Sequence, residues 1–349
     1  MKLISLFAGA GGLDLGFEQA GFKIEFANEY DKTIWDTYRY NHPNSSLNTQ
    51  DIREIITSDL PNIDGIIGGP PCQSWSIAGA RRGIDDPRGQ LFFDYIRILS
   101  DKNPLFFVAE NVSGMLNAKY KSVIEEIIEQ LSNAGKYGYN VQFKLINTAE
   151  YGIPQDRKRV FFIGYRKDLK KVFEFDKLDR YKSKTTLKDA IYDLKNDLGN
   201  KNIYNHEYMS GGFSTIFMSR NRVRNWDEVS FTIQAGGRHA PLHPDAPKMI
   251  KIGKDQMIFA QGQEHLYRRL TVRECARIQT FPDNFKFIYK NIADGYKMIG
   301  NAVPVKMANI IANIIKLDLQ ASDNIVLHKK VTKNARPQLG EPCVNPRFF

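Results

Sequence analysis

Across residues 1–165, short apolar runs alternate with amphipathic stretches, and that order leaves few folds open. Runs that read as buried strands are Leu3 to Phe7, Ile24 to Ala27, Ile63 to Ile67, Leu105 to Ala109, Val141 to Ile146 and Val160 to Ile163. Between them, Leu91, Phe92, Tyr95, Ile96 and Leu99 share one helical face, and so do Val123, Ile124, Ile127, Ile128 and Leu131. The βαβα order predicts an α/β chain with a mostly parallel sheet covered by helices on both sides. Ligands of such a sheet bind outside the carboxyl ends of its strands.

The texture changes after Asp168. Lys, Asp and Asn dominate to Asn202, and a stretch rich in Arg, Gly, His and Pro follows from His206 to Pro247 without helical periodicity. This predicts a smaller, irregular, β-containing second domain, in keeping with a length of 349 residues and 42% hydrophobic content. Helical pattern returns at Thr271 to Gln279, where Thr271 caps and Glu274 completes a capping box, so that Cys275 reads as a packed core thiol. A last apolar helix, Val305 to Leu319, is expected to pack back on the first domain. The basic, proline-containing tail from Ala321 reads as loosely ordered.

A net charge of +10 suits a polyanionic partner such as nucleic acid, although a lysine-solvated surface gives the same number. No apolar run of about 18 residues or cleavable leader is read from the sequence, which predicts a cytoplasmic protein without a membrane span. Cys72, Cys275 and Cys343 are odd in number and far apart, so neither a disulfide framework nor a Cys-x-x-Cys metal site is indicated.

Chemistry concentrates at the predicted strand ends. Phe7-Ala8-Gly9-Ala10-Gly11-Gly12 forms a glycine turn after the first strand and opens a helix that Gly21 would stop. A structural tight turn would use the same residues. Asp14 occupies the third position of a dinucleotide fingerprint, where a carboxylate repels pyrophosphate, so a cationic nucleoside fits better. Glu29, twenty residues after Gly9, is placed to accept from ribose hydroxyls, and Asp51 from an adenine amino group. Gly68-Gly69-Pro70-Pro71-Cys72-Gln73-Ser74-Trp75-Ser76 holds a lone Cys on a rigid loop at the ligand edge, which favours a nucleophile over a buried apolar thiol. Ala109-Glu110-Asn111-Val112 brings a carboxylate to the same edge for acid assistance. Arg157 and Arg159, two apart, would share a face. They could be a solvated strand end, or guanidiniums that bind phosphate and keep a thiolate or carbonyl oxygen charged. Asn301, in Gly300-Asn301-Ala302-Val303-Pro304, could return to the pocket.

These segments, with Arg-Glu-x-Ala-Arg-x-Gln-x-Phe-Pro from Arg273, occur in the order found in the cytosine-5 DNA methyltransferases, which the chain resembles from Phe7 to roughly Leu317. Trp75 stands where Phe is common. The resemblance implies a Rossmann-like S-adenosylmethionine-dependent methyltransferase fold with a target-recognition domain. It further implies S-adenosylmethionine held by Phe7, Gly9, Gly11, Glu29, Asp51, Ile52, Pro71, Leu91 and Asn301. Cys72, Glu110, Arg157 and Arg159 would form the catalytic group, with no metal. On this reading residues 1–175, completed by 285–320, are the catalytic and cofactor-binding domain, 176–284 the target-recognition domain and hinge, and 321–349 the tail. The recognition segment, Ser214 to Trp226 and Phe231 to Pro244, looks like that of HaeIII-type enzymes, whose target is GGCC. Arg220, Arg222, Arg224 and Arg238 are the candidate DNA-binding residues. The implied partner is double-stranded DNA, with the enzyme acting as a monomer and needing no protein partner. RNA methylation and a catalytically silent DNA-binding regulator are the rival readings. A nicotinamide dehydrogenase ranks third, disfavoured by Asp14 and Pro71-Cys72.

Overall fold

The computed structural model describes residues 1–71, 90–180 and 184–334, with the backbone alone for 321–334. Seven strands form the main sheet: β1 (Lys2–Leu6), β2 (Lys23–Asn28), β3 (Ser46–Asn48), β4 (Gly65–Gly68), β5 (Phe106–Val112), β6 (Tyr139–Asn147) and β7 (Lys158–Arg166). Their order is β3-β2-β1-β4-β5-β7-β6. All pairs from β3 to β5 are parallel, whereas β7 runs antiparallel to both β5 and β6. The chain steps from β1 outward to β2 on one side and later to β4 on the other, which opens a crevice at the carboxyl ends.

Helices cover both faces: α1 (Gly12–Gln19), α2 (Trp35–Asn41), α3 (Leu91–Lys102) and α4 (Lys121–Ser132), later joined by α8 (Val305–Asn334). The period of two sorts the strand side chains. Phe106 and Val108 of β5 enter one core with Phe17 of α1 and Met307, Ile311 and Ile315 of α8. Phe107 and Ala109 enter the opposite core with Tyr95 and Leu99 of α3 and Ile127 and Leu131 of α4. Helix α1 stops where expected: Gly21, at φ 90°, donates its N–H to the Glu18 carbonyl, and Phe22 N–H reaches the Phe17 carbonyl, closing the last turn.

Residues 184–291 carry only short elements: α5 (Leu187–Ile191), the hairpin β8 (Ile250–Gly253) and β9 (Gln256–Ile258), and α6 (Val272–Ile278), before α7 (Ile292–Asn301). A small core of Phe217, Val223, Leu242, Ala246, Met249 and Tyr267 holds the irregular part. The capping box on α6 is present, and Cys275 is fully buried.

Two features differ from the sequence reading. The backbone of α8 continues to Asn334, so the segment after Ala321 begins as helix rather than loose chain. Residues 292–320 are also long and apolar enough to cross a membrane by length and composition. That stretch is broken between α7 and α8, and 72% of its most apolar window is buried inside the protein, as in a core helix.

Candidate active site

The crevice at the carboxyl ends holds a cavity of about 640 Å³, within the range of about 300–1,000 Å³ typical of small-molecule sites. Its lining includes every expected cofactor residue described apart from Gly11: Phe7, Gly9, Glu29, Asp51, Ile52, Pro71, Leu91 and Asn301. Tyr30, 68% exposed, also lines it and was not singled out in the sequence. An aromatic one residue after Glu29, at a strand end, was the available signal.

The glycine turn places Phe7, Gly9 and Gly11 at φ 55°, 57° and 83°. Gly9 N–H donates to Glu29 Oε2 at 2.9 Å and Asp31 N–H to its Oε1 at 2.7 Å, so Glu29 is oriented by the turn it faces. Burial raises its carboxyl above the usual range, against those two donors. Gly11 has a second constraint: a Cβ there would stand 2.0 Å from His42 Nε2, so imidazole packs where a side chain would be. Gly11 thus shapes the turn from behind.

Asp14 is not presented to a ligand as a free carboxylate. It is fully buried at the cavity floor, accepting from Ser5 Oγ and Tyr38 OH, each at 2.6 Å. Asp51 caps the turn Ile52–Glu54 and accepts from Arg53 N and Nε at 3.0 and 2.9 Å, which holds its carboxyl low. An adenine amino group would find it already paired, with spare lone pairs.

At the other end of the cavity β5 delivers Glu110, 7% exposed, and β7 delivers Arg159. Arg159 Nε lies 3.0 Å from Glu110 Oε1. Burial pushes the Glu110 carboxyl up, with Arg159 and then Arg157 opposing that shift. Asn111, buried, donates from Nδ2 to the Pro70 carbonyl at 3.0 Å, pinning the chain two residues before Cys72. Cys72 itself, with Gln73 to Ser76, lies outside the described residues.

Arg157 departs from the expectation of two guanidiniums working as a pair. It lines the cavity but is 1% exposed, and it donates to the carbonyls of Ile233 at 3.1 Å, Gly300 at 2.9 Å and Ala302 at 3.0 Å. It clips the segment around Ile233 to the junction of α7 and α8. Gly300 permits that approach, since a Cβ there would stand 2.3 Å from Gln234 backbone. Gln155, fully buried, extends the clip: its Oε1 accepts from Ile233 N at 2.9 Å and its Nε2 donates to Gln279 at 2.8 Å.

The four candidate DNA-binding arginines divide. Arg220 and Arg238 are exposed. Arg222 turns inward, donating to the carbonyls of Phe217 and Ile216 at 2.9 and 3.1 Å. Arg224 pairs with Glu228 at 3.1 Å and lies 4.2 Å over the Phe231 ring. Periodicity cannot show this division in a segment without regular structure.

Comparison with known proteins agrees with the geometry. The family model for C-5 cytosine-specific DNA methylases matches residues 1–317. Type II methyltransferase M.FnuDI of Fusobacterium nucleatum is 57% identical over 337 residues, covering 93% of this chain and 97% of the relative. Type II methyltransferase M.NgoPII of Neisseria gonorrhoeae is 58% identical over 332 residues, 92% and 96% of the two chains. Among solved structures, Spodoptera frugiperda DNMT2 (a triple mutant) superposes with a TM-score of 0.64 at 19% identity, over 91% of this chain and 99% of that one, a likeness of fold. With the family matched over nearly the whole described chain, and the glycine turn and the Glu110–Arg159 pair on one cavity, the protein belongs to the C-5 cytosine-specific DNA methylases and is a DNA (cytosine-5-)-methyltransferase.

Proposed function

We propose that this enzyme methylates carbon 5 of a cytosine within GGCC in double-stranded DNA, through a covalent adduct of Cys72 with carbon 6 of a flipped-out base. The buried Glu110–Arg159 pair, one strand from the Pro70–Pro71 segment that leads into Cys72, carries this reading. S-adenosylmethionine, when bound, supplies an electrophilic methyl group. The residues of the larger cavity fit it: Glu29 offers acceptors for ribose hydroxyls, Asp51 for an amino group, and Phe7 and Tyr30 apolar faces for a purine.

Carbon 5 of cytosine is a poor nucleophile. Addition of the Cys72 thiolate to carbon 6 turns the ring into an enamine and makes carbon 5 nucleophilic. Glu110, which burial favours in its protonated form, holds the proton on N3 and accepts from the exocyclic amine. Arg159 binds the O2 side and fixes Glu110. After methyl transfer, loss of the carbon-5 proton expels Cys72 and frees 5-methylcytosine. Arg157 serves by holding the Ile233 segment against the site. Extruding the base costs a few kcal/mol, offset by contacts from the recognition region.

Residues 1–175 with 285–320 then form the catalytic unit and 176–284 the recognition unit, with Arg220 and Arg238 on the DNA. The likeness of the recognition segment to HaeIII-type enzymes supports GGCC. The type II names of the relatives support a protective role in a restriction-modification system, and on this reading the enzyme acts as a cytoplasmic monomer. Transfer of labelled methyl groups to duplexes carrying GGCC or a scrambled site tests the target: label on GGCC alone is expected, and label on the scrambled duplex would overturn it.

A further inference from the structure

Two cavities share the segment Gln155–Arg159 without a lining residue in common. Arg157 and Arg159 line the cofactor cavity. Asp156, between them, lines a second cavity of about 200 Å³ with Arg220, Phe231, Thr232, Gln234 and His239. Its walls are fixed to the catalytic strand. Asp156 N–H donates to the Ser230 carbonyl at 2.8 Å, Ser230 N–H to Pro154 at 2.9 Å, and Thr232 Oγ1 to the Asp156 carbonyl at 2.6 Å. With the Gln155 and Arg157 bonds to Ile233, Ser230 and Ile233 are each held at both backbone N–H and carbonyl, and Thr232 by its hydroxyl.

The polar ends inside are left open. Among the described residues, no group hydrogen-bonds or ion-pairs with the side chains of Arg220, Gln234 or His239. Asp156 Oδ1 accepts from Asn147 Nδ2 at 2.9 Å, which leaves Oδ2 available. A rigid recess with unpartnered donors and acceptors, set on the residue between Arg157 and Arg159, is built for a ligand held in fixed relation to the reacting base. The volume is too small for a whole nucleotide and suits base edges.

We propose that this cavity reads one G·C pair of the methylation site, making Asp156, Gln234 and His239 specificity-determining residues beside Arg220. The inference rests on duplex DNA as the substrate. In the major groove guanine presents only the acceptors N7 and O6, and cytosine one N4 donor. Arg220 and His239 supply donors for the first, and Asp156 and the Gln234 carbonyl supply acceptors for the second. An A·T pair would put the adenine N6 donor where guanine has O6 and the thymine O4 acceptor where cytosine has N4, so donor would face donor and acceptor face acceptor, a larger loss than a missing apolar contact.

The test uses the full-length enzyme with Gln234→Ala, His239→Ala and Asp156→Asn, the last keeping an acceptor for Asn147. The methylated site is first fixed by wild-type labelling, so an error in GGCC changes the duplexes and not the comparison. kcat/KM is then measured on that site and on duplexes with each pair replaced singly, with KM for S-adenosylmethionine as the check on folding. The expected result is a loss of discrimination of about tenfold or more at one and the same pair for all three variants. Discrimination at the other pairs and the cofactor KM stay at wild-type values. An equal fall on every duplex with discrimination intact would overturn the proposal, as would a cofactor KM that rises in step.

Discussion

Arg159 and Glu110 are diagonal neighbours on antiparallel strands: Glu110 faces Phe161 in the register, and Arg159 stands two residues before it, with its Nε 3.0 Å from Glu110 Oε1. Only 14% and 9% of the two side chains are exposed, and the Arg159 cation opposes the rise that burial gives the Glu110 carboxyl while holding it in place. Arg159→Ala leaves a buried carboxyl without its cation. We expect kcat to fall by about a hundredfold or more and thermal stability to drop, while S-adenosylmethionine still binds. Arg159→Lys, which keeps charge but loses the planar fork, should recover part of the rate. Single-turnover methylation and calorimetric cofactor titration check both.

Burial raises the Glu110 carboxyl, so its proton persists to higher pH than on an ordinary glutamate. A step that uses the protonated form slows as pH rises through that raised pKa. The pH profile of kcat/KM should therefore carry an alkaline falling limb that Glu110→Gln removes, at a lower overall rate. The linkage has the same sign for stability. The folded state binds the proton more tightly, so this contribution is full below the unfolded pKa and is lost as pH rises through the folded one. An unchanged limb in Glu110→Gln would assign it to another group.

Much of this was legible because parallel strands buried on both faces read as continuous apolar runs, as Leu105 to Ala109 does within β5. The reversal of β7 was less visible, since Val160 to Ile163 reads the same in either direction. Its signal was the short link of residues 148–157, with no room for a crossover helix. Strand β3, three residues without an apolar run, exists through pairing with β2. The inward turns of Arg157 and Arg222 could not be read at all, because their partners are backbone carbonyls, as far away in sequence as Ala302 is from Arg157.

Gly11→Ala meets two obstacles, φ at 83° and the His42 ring 2.0 Å from the new Cβ. The strained backbone costs on the order of 1 kcal/mol, and the ring must move from under the turn. S-adenosylmethionine affinity should fall at least about tenfold, measured by calorimetry. Gly11→Ala/His42→Ala, which clears the clash but not the strain, should regain part of it.

Arg238→Ala and Arg222→Ala should separate cleanly. Arg238 is exposed, so its loss leaves the melting temperature unchanged and weakens duplex binding about fivefold or more. Arg222 is 8% exposed and bonded to two carbonyls, so its loss lowers the melting temperature, by about 2–4 kcal/mol of stability. Thermal melts and duplex titrations at fixed salt decide this.

The covalent role of Cys72 is tested most directly with a GGCC duplex carrying 5-fluorocytosine at the target position. Fluorine cannot leave as the carbon-5 proton does, so the adduct at carbon 6 cannot resolve after methyl transfer. With S-adenosylmethionine present, mass spectrometry should find the modified base on the peptide containing Cys72, and on no peptide of Cys72→Ser. No adduct in the wild type on a duplex whose normal counterpart it methylates, or an equal adduct in Cys72→Ser, would contradict the account.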